Sequence, residues 1–217
     1  MDKYAIVIAG PSGVGKTTVT ERLISELGFL RESRSVTTRQ PRNDGNDGEY
    51  VYLTADEFRR YIELGEVIEY TEYGGNFYGT VRFELERIFN EGKIPILILD
   101  YNGARSLRAL VDYPVYSFYL YTTLEEAARR LESRDLTAAP DIERAKAAVA
   151  RRKAENIADY RKMRTMTELF DAFVENRNLD ICVAEIISSL EVLRRGDVAM
   201  TDGEKRLITE RLFCDAE

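Results

Sequence analysis

The sequence predicts an α/β fold in which a parallel sheet is flanked by helices and carries a small mixed α/β insertion and a lid. Short apolar runs at residues 4–9, 94–99 and 115–120 have the length and composition of buried parallel strands. Helical patterns separate these runs, and strands that alternate with helices form right-handed βαβ units. A glycine-rich loop joins the first run to the first helix.

This loop is the most informative part of the chain. Residues 10–17 read GPSGVGKT, a complete match to the pattern G-x-x-x-x-G-K-[ST]. Its glycines let backbone N–H groups surround the phosphates of a nucleoside triphosphate, Lys16 reaches the β- and γ-oxygens, and the Thr17 hydroxyl binds Mg²⁺. The alternative is a plain turn between a strand and a helix. The predicted ATP-binding residues of this segment are Gly10, Pro11, Ser12, Gly13, Val14, Gly15, Lys16, Thr17 and Thr18.

Residues 33–80 form the predicted insertion, because the pattern changes there to short alternating segments, tyrosines and turn residues. A polar loop precedes a strand at 50–53, and Thr54 opens a short helix with a capping box. A strand at 67–70 then leads to a glycine hairpin turn. We therefore predict a partly antiparallel unit that is hinged on the parallel core.

The core resumes after the insertion. Thr80 is predicted as the N-cap of a helix that runs through Asn90. Residues 134–141 are polar and small between two helical patterns, which is typical of a mobile lid. A strand at 172–175 and an amphipathic helix complete the core. The predicted boundaries are 1–32 and 81–190 for the core, 33–80 for the insertion, 134–146 for the lid and 191–217 for a C-terminal extension of unknown role.

Composition excludes several function classes. A net charge of −7 argues against a surface that binds nucleic acid, and no apolar run approaches the length of a membrane-spanning helix. The chain contains no histidine, so neither histidine catalysis nor a histidine metal site is available. Cys182 and Cys214 have neither metal-ligand spacing nor a disulfide framework, which indicates a cytoplasmic protein. The sequence carries no signal for an oligomeric state.

Two further segments point to the second substrate. Residues 37–42 read TTRQPR and bring Arg39 close to Arg42 in the chain. Arginine forks match phosphate oxygens bidentately, although a pair of solvated surface arginines is the alternative interpretation. Glu69 is followed by GNFYGT at residues 75–80 within the same insertion.

With these residues the chain resembles the guanylate kinases, from about residue 4 to about residue 190. The loop at 10–17 agrees with the family's GPSG-x-GK[ST], residues 37–42 agree with TTR-x-PR, and residues 75–80 agree with GNYYG[ST] except for Phe77. Three segments in this order and at this spacing are highly specific. The resemblance implies transfer of the γ-phosphoryl group of ATP to GMP in purine nucleotide metabolism, with dGMP as another acceptor and Mg²⁺ bound with ATP.

The resemblance also implies roles for the acceptor residues. Glu69 matches the carboxylate that accepts hydrogen bonds from guanine N1–H and the 2-amino group, Thr80 the hydroxyl that faces O6, and Asp100 another contact to the guanine edge. Adenine lacks both donors, and a buried acceptor left unpaired rejects the wrong base. The alternatives are a solvated carboxylate at Glu69 and tyrosines that pack in a small core. The predicted ligands of the acceptor monophosphate are Ser35, Arg39, Arg42, Tyr50 and Tyr78.

The lid carries the remaining implied roles. Arg134 and Arg144 resemble arginines that close over the triphosphate and offset the charge that develops during transfer. Arg144 aligns only with one residue missing from the lid, so Lys146 and Arg151 are alternatives. Asn176 stands where the family has an asparagine close to adenine, with a loop cap as the alternative. The predicted catalytic residues are Lys16, Arg39, Arg134 and Arg144.

One departure keeps two other functions open. Ile98 occupies a position that is usually acidic, so any contribution of that carboxylate to the outer shell of the metal is missing or replaced. The first alternative is a kinase of the same fold that acts on another phosphorylated acceptor. The second is a catalytically silent module that binds phosphopeptides, against which the intact Gly15-Lys16-Thr17 argues.

Overall fold

The computed structural model describes residues 3–41, 50–73, 75–137 and 142–216, without the side chains of residues 73, 136, 137 and 144. The strands are β1 (Ala5–Ala9), β2 (Leu30–Glu32), β3 (Ser35–Thr37), β4 (Tyr50–Tyr52), β5 (Val67–Tyr73), β6 (Asn76–Val81), β7 (Ile94–Ile98), β8 (Val115–Tyr121) and β9 (Ala172–Glu175). The helices are α1 (Lys16–Leu27), α2 (Ala55–Glu63), α3 (Arg82–Asn90), α4 (Tyr101–Leu110), α5 (Leu124–Thr137), α6 (Ile142–Met163), α7 (Leu179–Arg194) and α8 (Asp202–Asp215).

The central sheet has the strand order β2-β7-β1-β8-β9, and its strands pair in parallel. Ile6 of β1 lies beside Ile96 of β7 and Tyr116 of β8. Helices α1 and α7 pack on one face, and α4, α6 and α8 pack on the other. Because both faces are covered, the strands are apolar along their length rather than alternating. The predicted fold class is confirmed.

The insertion forms a second sheet with the order β4-β3-β6-β5. Strands β3 and β4 are parallel, whereas β6 is antiparallel to both β3 and β5. Val36, Phe58 and Val81 are buried between this sheet and its neighbours. Thr54 and Glu57 form the predicted capping box at the start of α2. The insertion is therefore mixed α/β, as the sequence predicts.

A buried carboxylate lies where the chain passes between the two sheets. Glu84 of α3 is fully buried and accepts hydrogen bonds from Nε of Arg34 at 3.1 Å and from Nε of Arg87 at 2.9 Å. Burial by itself raises the pKa of Glu84, but the hydrogen bonds from Arg87 and Arg34 outweigh it and hold that pKa below the ordinary value. Arg34 separates β2 from β3, so this ion network ties the insertion to the core.

Two predicted helix boundaries are wrong. Thr80 is not an N-cap but a residue of β6, and its hydroxyl donates to Glu69 instead of to the helix that follows. Helix α5 continues through Thr137, so residues 134–137 of the predicted lid are helical. Asp135 pairs there with Arg152 of α6, which holds the last turn of α5 against its neighbour. Residues 138–141 lie outside the described residues.

The C-terminal extension is part of the folded core. Thr201 and Glu204 form a capping box that starts α8. Leu212 of this helix is buried against the sheet face that α6 also covers, and Glu210 pairs with Arg164 at the end of α6. Among the described residues no helix combines the length and the apolar character needed to cross a membrane.

Replacing Leu212 with alanine is expected to lower the free energy of unfolding by about 2–4 kcal/mol, because the side chain is 1 % exposed and leaves a cavity. Leu207→Ala is the matched control, since Leu207 lies on the same helix and is 74 % exposed. It is expected to change the free energy of unfolding by about 0.5 kcal/mol or less. Urea unfolding measures both; equal losses in the two variants contradict the packing of α8.

Candidate functional site

The loop at residues 10–17, called the phosphate loop from here on, has three positions whose backbone conformation favours glycine. Gly10, Gly13 and Gly15 have φ angles of 138°, 83° and 93°. A Cβ atom on Gly10 would lie 2.2 Å from the backbone oxygen of Leu120, and one on Gly13 would lie 2.6 Å from that of Ala127. Gly15 starts α1 without a side-chain cap, so the first N–H groups of the helix stay available to an anion.

Lys16 lies over this loop. Its ammonium donates hydrogen bonds to the backbone oxygens of Gly10 at 2.8 Å and Pro11 at 2.9 Å. Burial lowers the pKa of Lys16 to about 8, while the nearby charge of Asp159 raises it and that of Arg134 lowers it. The structure therefore brings Lys16 and Arg134, two of the predicted catalytic residues, within electrostatic reach of one another.

Three side chains support the phosphate loop from behind. The amide of Asn176, which is 5 % exposed, donates to the backbone oxygen of Val14 at 2.8 Å. Arg130 of α5 donates to the backbone oxygen of Asn176 at 2.9 Å. Asn156 of α6 pairs with the backbone of Ser12. The amide of Asn176 thus bonds within the protein, and its contact with adenine stays a prediction. Sequence patterns identify neither Arg130 nor Asn156, because their contacts depend on how α5 and α6 are oriented.

The predicted ligands of the acceptor phosphate lie on neighbouring strands of the four-stranded sheet. Ser35 and Tyr50 are register partners on β3 and β4, and the ring of Tyr78 on β6 meets that of Tyr50 edge to face at 6.2 Å. The guanidinium of Arg39 lies 5.5 Å from the centre of the Tyr50 ring. Arg42 lies outside the described residues, so its predicted role stays a prediction.

Arg39, two residues after the end of β3, has a donor that no described residue pairs with. Its Nε atom is buried, and no residue in the described part of the chain accepts a hydrogen bond from it. Buried guanidinium N–H groups are normally paired, and carboxylate and phosphate oxygens both form strong hydrogen bonds with them. Arg39 is therefore suited to an anionic ligand.

A cavity of about 660 Å³ joins the two halves of the site. Thr17 of α1 lines it, and so do Ser35 and Tyr50 of the four-stranded sheet. Arg34 and Arg87, which bind the buried Glu84, also reach its wall. The end of the phosphate loop and two of the predicted acceptor ligands, Ser35 and Tyr50, thus face the same space.

The predicted guanine contacts lie close together. The Thr80 hydroxyl donates to Oε1 of Glu69 at 2.7 Å. Burial raises the pKa of Glu69, the hydrogen bond from Thr80 lowers it, and the nearby charge of Asp100 raises it. Asp100 caps α4 by accepting the N–H of Gly103 at 2.8 Å, and a Cβ on Gly103 would lie 3.2 Å from Cγ of Glu69. Glu69 therefore packs against the N-terminal turn of α4.

A second cavity, of about 630 Å³, is lined by residues of both the phosphate loop and α6. Lys16, Ile98 and Asp100 line it, together with Asp159 of α6. The Tyr119 hydroxyl donates to Asp159 at 2.9 Å, and burial raises the pKa of this carboxyl. Asp159 is a carboxylate that sequence reasoning misses, and it faces the cavity whose wall includes the apolar Ile98.

The arginines of the lid region meet on one carboxylate. Arg134 is exposed and donates from Nε to Asp135 at 2.7 Å, and Arg152 of α6 pairs with the same aspartate. Arg152 is a residue that the sequence analysis does not predict. The alternatives to Arg144 are both exposed and pair within α6: Lys146 with Glu143 and Arg151 with Glu155. The side chain of Arg144 lies outside the described part of the structure.

Comparisons with known proteins identify relatives along nearly the whole chain. The family model described as "Guanylate kinase" matches residues 2–193. A guanylate kinase of Porphyromonas gingivalis is 38 % identical over 185 residues, which are 83 % of this chain and 93 % of that protein. One of Lactobacillus johnsonii is 39 % identical over 131 residues, 59 % of this chain and 64 % of that protein. The crystal structure of guanylate kinase from Anaplasma phagocytophilum superposes with a TM-score of 0.59 at 25 % identity and covers 98 % of this chain and 96 % of that one.

Proposed function

Because the chain belongs to the guanylate kinase family, it transfers the γ-phosphoryl group of ATP to GMP, and we propose that transfer takes place in the cavity between the phosphate loop and the four-stranded sheet. The observation that carries this placement is the shared lining of that cavity by Thr17, Ser35 and Tyr50. ATP occupies residues 10–18 with its γ-phosphate at this cavity, and the phosphate of GMP or dGMP occupies the opposite wall.

The proposed mechanism depends on positioning and on electrostatic stabilisation. A phosphate oxygen of GMP attacks the γ-phosphorus in line, the bond to the bridging oxygen of ADP breaks, and GDP leaves with the transferred group. Lys16 and Arg134 lie on the donor side and offset the charge on the equatorial oxygens. Arg39 holds the acceptor phosphate through the N–H that is otherwise unpaired in the described structure. This chemistry requires no protein nucleophile and no histidine.

Guanine selection is assigned to Glu69. As a carboxylate it offers acceptors to N1–H and to the 2-amino group of guanine. The Thr80 hydroxyl also donates a hydrogen bond to one of its two oxygens, Oε1. Burial of Glu69 makes an unpaired carboxylate costly, so a base without these donors is rejected. We also place Asp100 at the guanine edge, because it lies close enough to Glu69 for its charge to raise the pKa of Glu69.

The residues present fit Mg²⁺ that binds together with ATP. Thr17 offers a hydroxyl in the first turn of α1, and it lines the cavity where the γ-phosphate is proposed to lie. Among the described residues no three acidic, histidine or cysteine side chains form a group that could hold a metal. Mg²⁺ binds phosphate oxygens and keeps several waters, so a single hydroxyl such as that of Thr17 suits it as a protein ligand. When bound, the ion neutralises charge on the β- and γ-phosphates.

A coupled ADP-release assay with GMP, dGMP, AMP, CMP and UMP tests the function. GMP and dGMP are expected to be phosphorylated with a kcat/KM at least about 10²-fold above that of AMP, because AMP leaves Glu69 unpaired. Excess chelator is expected to abolish turnover. Comparable turnover with AMP contradicts guanine selection, turnover with another phosphorylated acceptor alone supports the related-kinase alternative, and no turnover with any acceptor supports the phosphopeptide module.

The cytoplasmic location stays a prediction. It is supported by the two cysteines, since buried Cys182 and exposed Cys214 are both free thiols.

A further inference from the structure

Helix α6 contacts the phosphate loop through the buried amide of Asn156. The Oδ1 atom of Asn156 accepts the backbone N–H of Ser12 at 2.9 Å, and its Nδ2 donates to the backbone oxygen of Ser12 at 2.8 Å. Asn156 is 3 % exposed. The side-chain amide thus pairs with the Ser12 backbone through both of its hydrogen-bonding groups, in the way that one strand pairs with another.

We propose that Asn156 is a positioning residue for ATP, which holds the Ser12 segment of the phosphate loop in its nucleotide-binding shape. The inference rests on the proposed function, because it assigns the triphosphate to residues 10–18. Asn156 does not touch the phosphates; it acts through Ser12.

The loop needs such support at this point. Gly10 and Gly13, which flank the Ser12 segment, have positive φ angles, and glycine costs the most conformational entropy to fix. Val14, further along the loop, is held by Asn176 and Arg130. Without Asn156, Ser12 loses both of these backbone hydrogen bonds. The loop must then become ordered when ATP binds, and the conformational entropy lost in that step lowers the affinity for ATP.

The position of Asn156 on α6 also links the loop to the lid region. Arg152 lies one turn earlier and pairs with Asp135, which also binds Arg134. Asp159 lies one turn later, accepts a hydrogen bond from Tyr119, and lines the same cavity as Lys16. The same helix therefore places a guanidinium, an amide and a carboxylate along the donor side of the site, and the amide is the member that bonds the loop itself.

Two substitutions separate hydrogen bonding from packing. Asn156→Ala removes both bonds, and Asn156→Asp keeps the volume and one acceptor but turns an oxygen toward the Ser12 carbonyl. Both variants are expected to weaken ADP binding about ten-fold or more and to raise KM for ATP in proportion. The dissociation constant of GMP is expected to stay within about two-fold of wild type, since GMP is proposed to bind the four-stranded sheet.

Met163→Ala is the control for a general loss of stability. Met163 lies on the same helix, is fully buried, and packs in the core away from the loop. Isothermal titration with ADP and, separately, with GMP measures the effect on folded protein. ADP binding that is unchanged in both Asn156 variants, or weakened equally in Met163→Ala, overturns the inference. So does wild-type ADP binding in Asn156→Asp alone. A wild-type protein that binds ADP but phosphorylates no nucleoside monophosphate would instead contradict the proposed function.

Discussion

Replacing Lys16 with alanine is expected to reduce kcat for phosphoryl transfer by about 10²–10³-fold while leaving the affinity for GMP unchanged. The ammonium lies over the phosphate loop, where it is bonded to the oxygens of Gly10 and Pro11. During transfer of the γ-phosphoryl group, negative charge shifts among its oxygens. The positive charge of Lys16 stabilises that negative charge in the transition state. GMP binds the other wall of the cavity, so its ligands are untouched. Steady-state kinetics and isothermal titration with GMP give the two quantities.

Lys93→Ala is the matched control for this substitution. Lys93 also donates to a backbone oxygen, that of Gly28 at 2.6 Å, at the far end of α1 from the phosphate loop. Its replacement removes a similar hydrogen bond and the same charge, and we expect kcat to stay within about two-fold of wild type. If Lys16→Ala keeps a tenth of the wild-type kcat, or loses GMP binding together with turnover, the donor role of Lys16 is wrong.

Glu69→Gln is expected to lower kcat/KM for GMP by about 10²-fold while ATP binding is retained. The carboxylate offers acceptors to two adjacent donors of guanine, whereas glutamine turns an NH₂ group toward one of them. Partial burial against α4 strengthens the effect, because water solvates the group left without a partner only in part. Glu72→Gln is the control, since Glu72 is an exposed residue of the same strand. Unchanged discrimination between GMP and AMP removes Glu69 from the guanine site.

The same substitution is expected to leave thermal stability equal or higher. Burial raises the pKa of Glu69 above that of an ordinary glutamate, so the unfolded chain releases this proton at a lower pH than the folded protein does. Ionised Glu69 therefore costs stability at neutral pH, and neutral glutamine removes that cost while still accepting from Thr80. Calorimetry without nucleotide measures the melting temperatures of wild type and Glu69→Gln. A large drop in the variant contradicts the inference that ionised Glu69 costs stability.

The raised pKa of Glu69 also sets the direction of the pH dependence. Above that pKa the carboxylate accepts from both guanine donors, and below it the protonated carboxyl presents a donor to a donor. As the pH is lowered, GMP affinity is therefore expected to begin to fall at a higher pH than it would with a glutamate of ordinary pKa. In Glu69→Gln this part of the pH dependence is expected to be absent. The difference between the two pH profiles also cancels the titration of the GMP phosphate itself.

Local patterns predicted the elements whose causes are local. The strands of the central sheet are recognisable because both of their faces are buried, and the capping box at Thr54 because it uses neighbouring residues. The phosphate loop is recognisable because its backbone demands glycine at fixed spacing. The predicted N-cap at Thr80 is wrong for the opposite reason. The partner of its hydroxyl is Glu69 on the neighbouring strand, and residues next to Thr80 in the sequence do not reveal that contact.

The sequence alone therefore carried the fold class, the phosphate loop and the acceptor motifs, since each is written in consecutive residues. Tertiary structure decided what long side chains on separate elements do together. It placed Arg152 beside Arg134 on Asp135, directed Asp159 into the cavity that Ile98 lines, and paired Asn156 with Ser12 across 144 residues. These contacts follow from the rotation of α6 against the sheet, which core packing sets and which helical periodicity alone leaves undetermined.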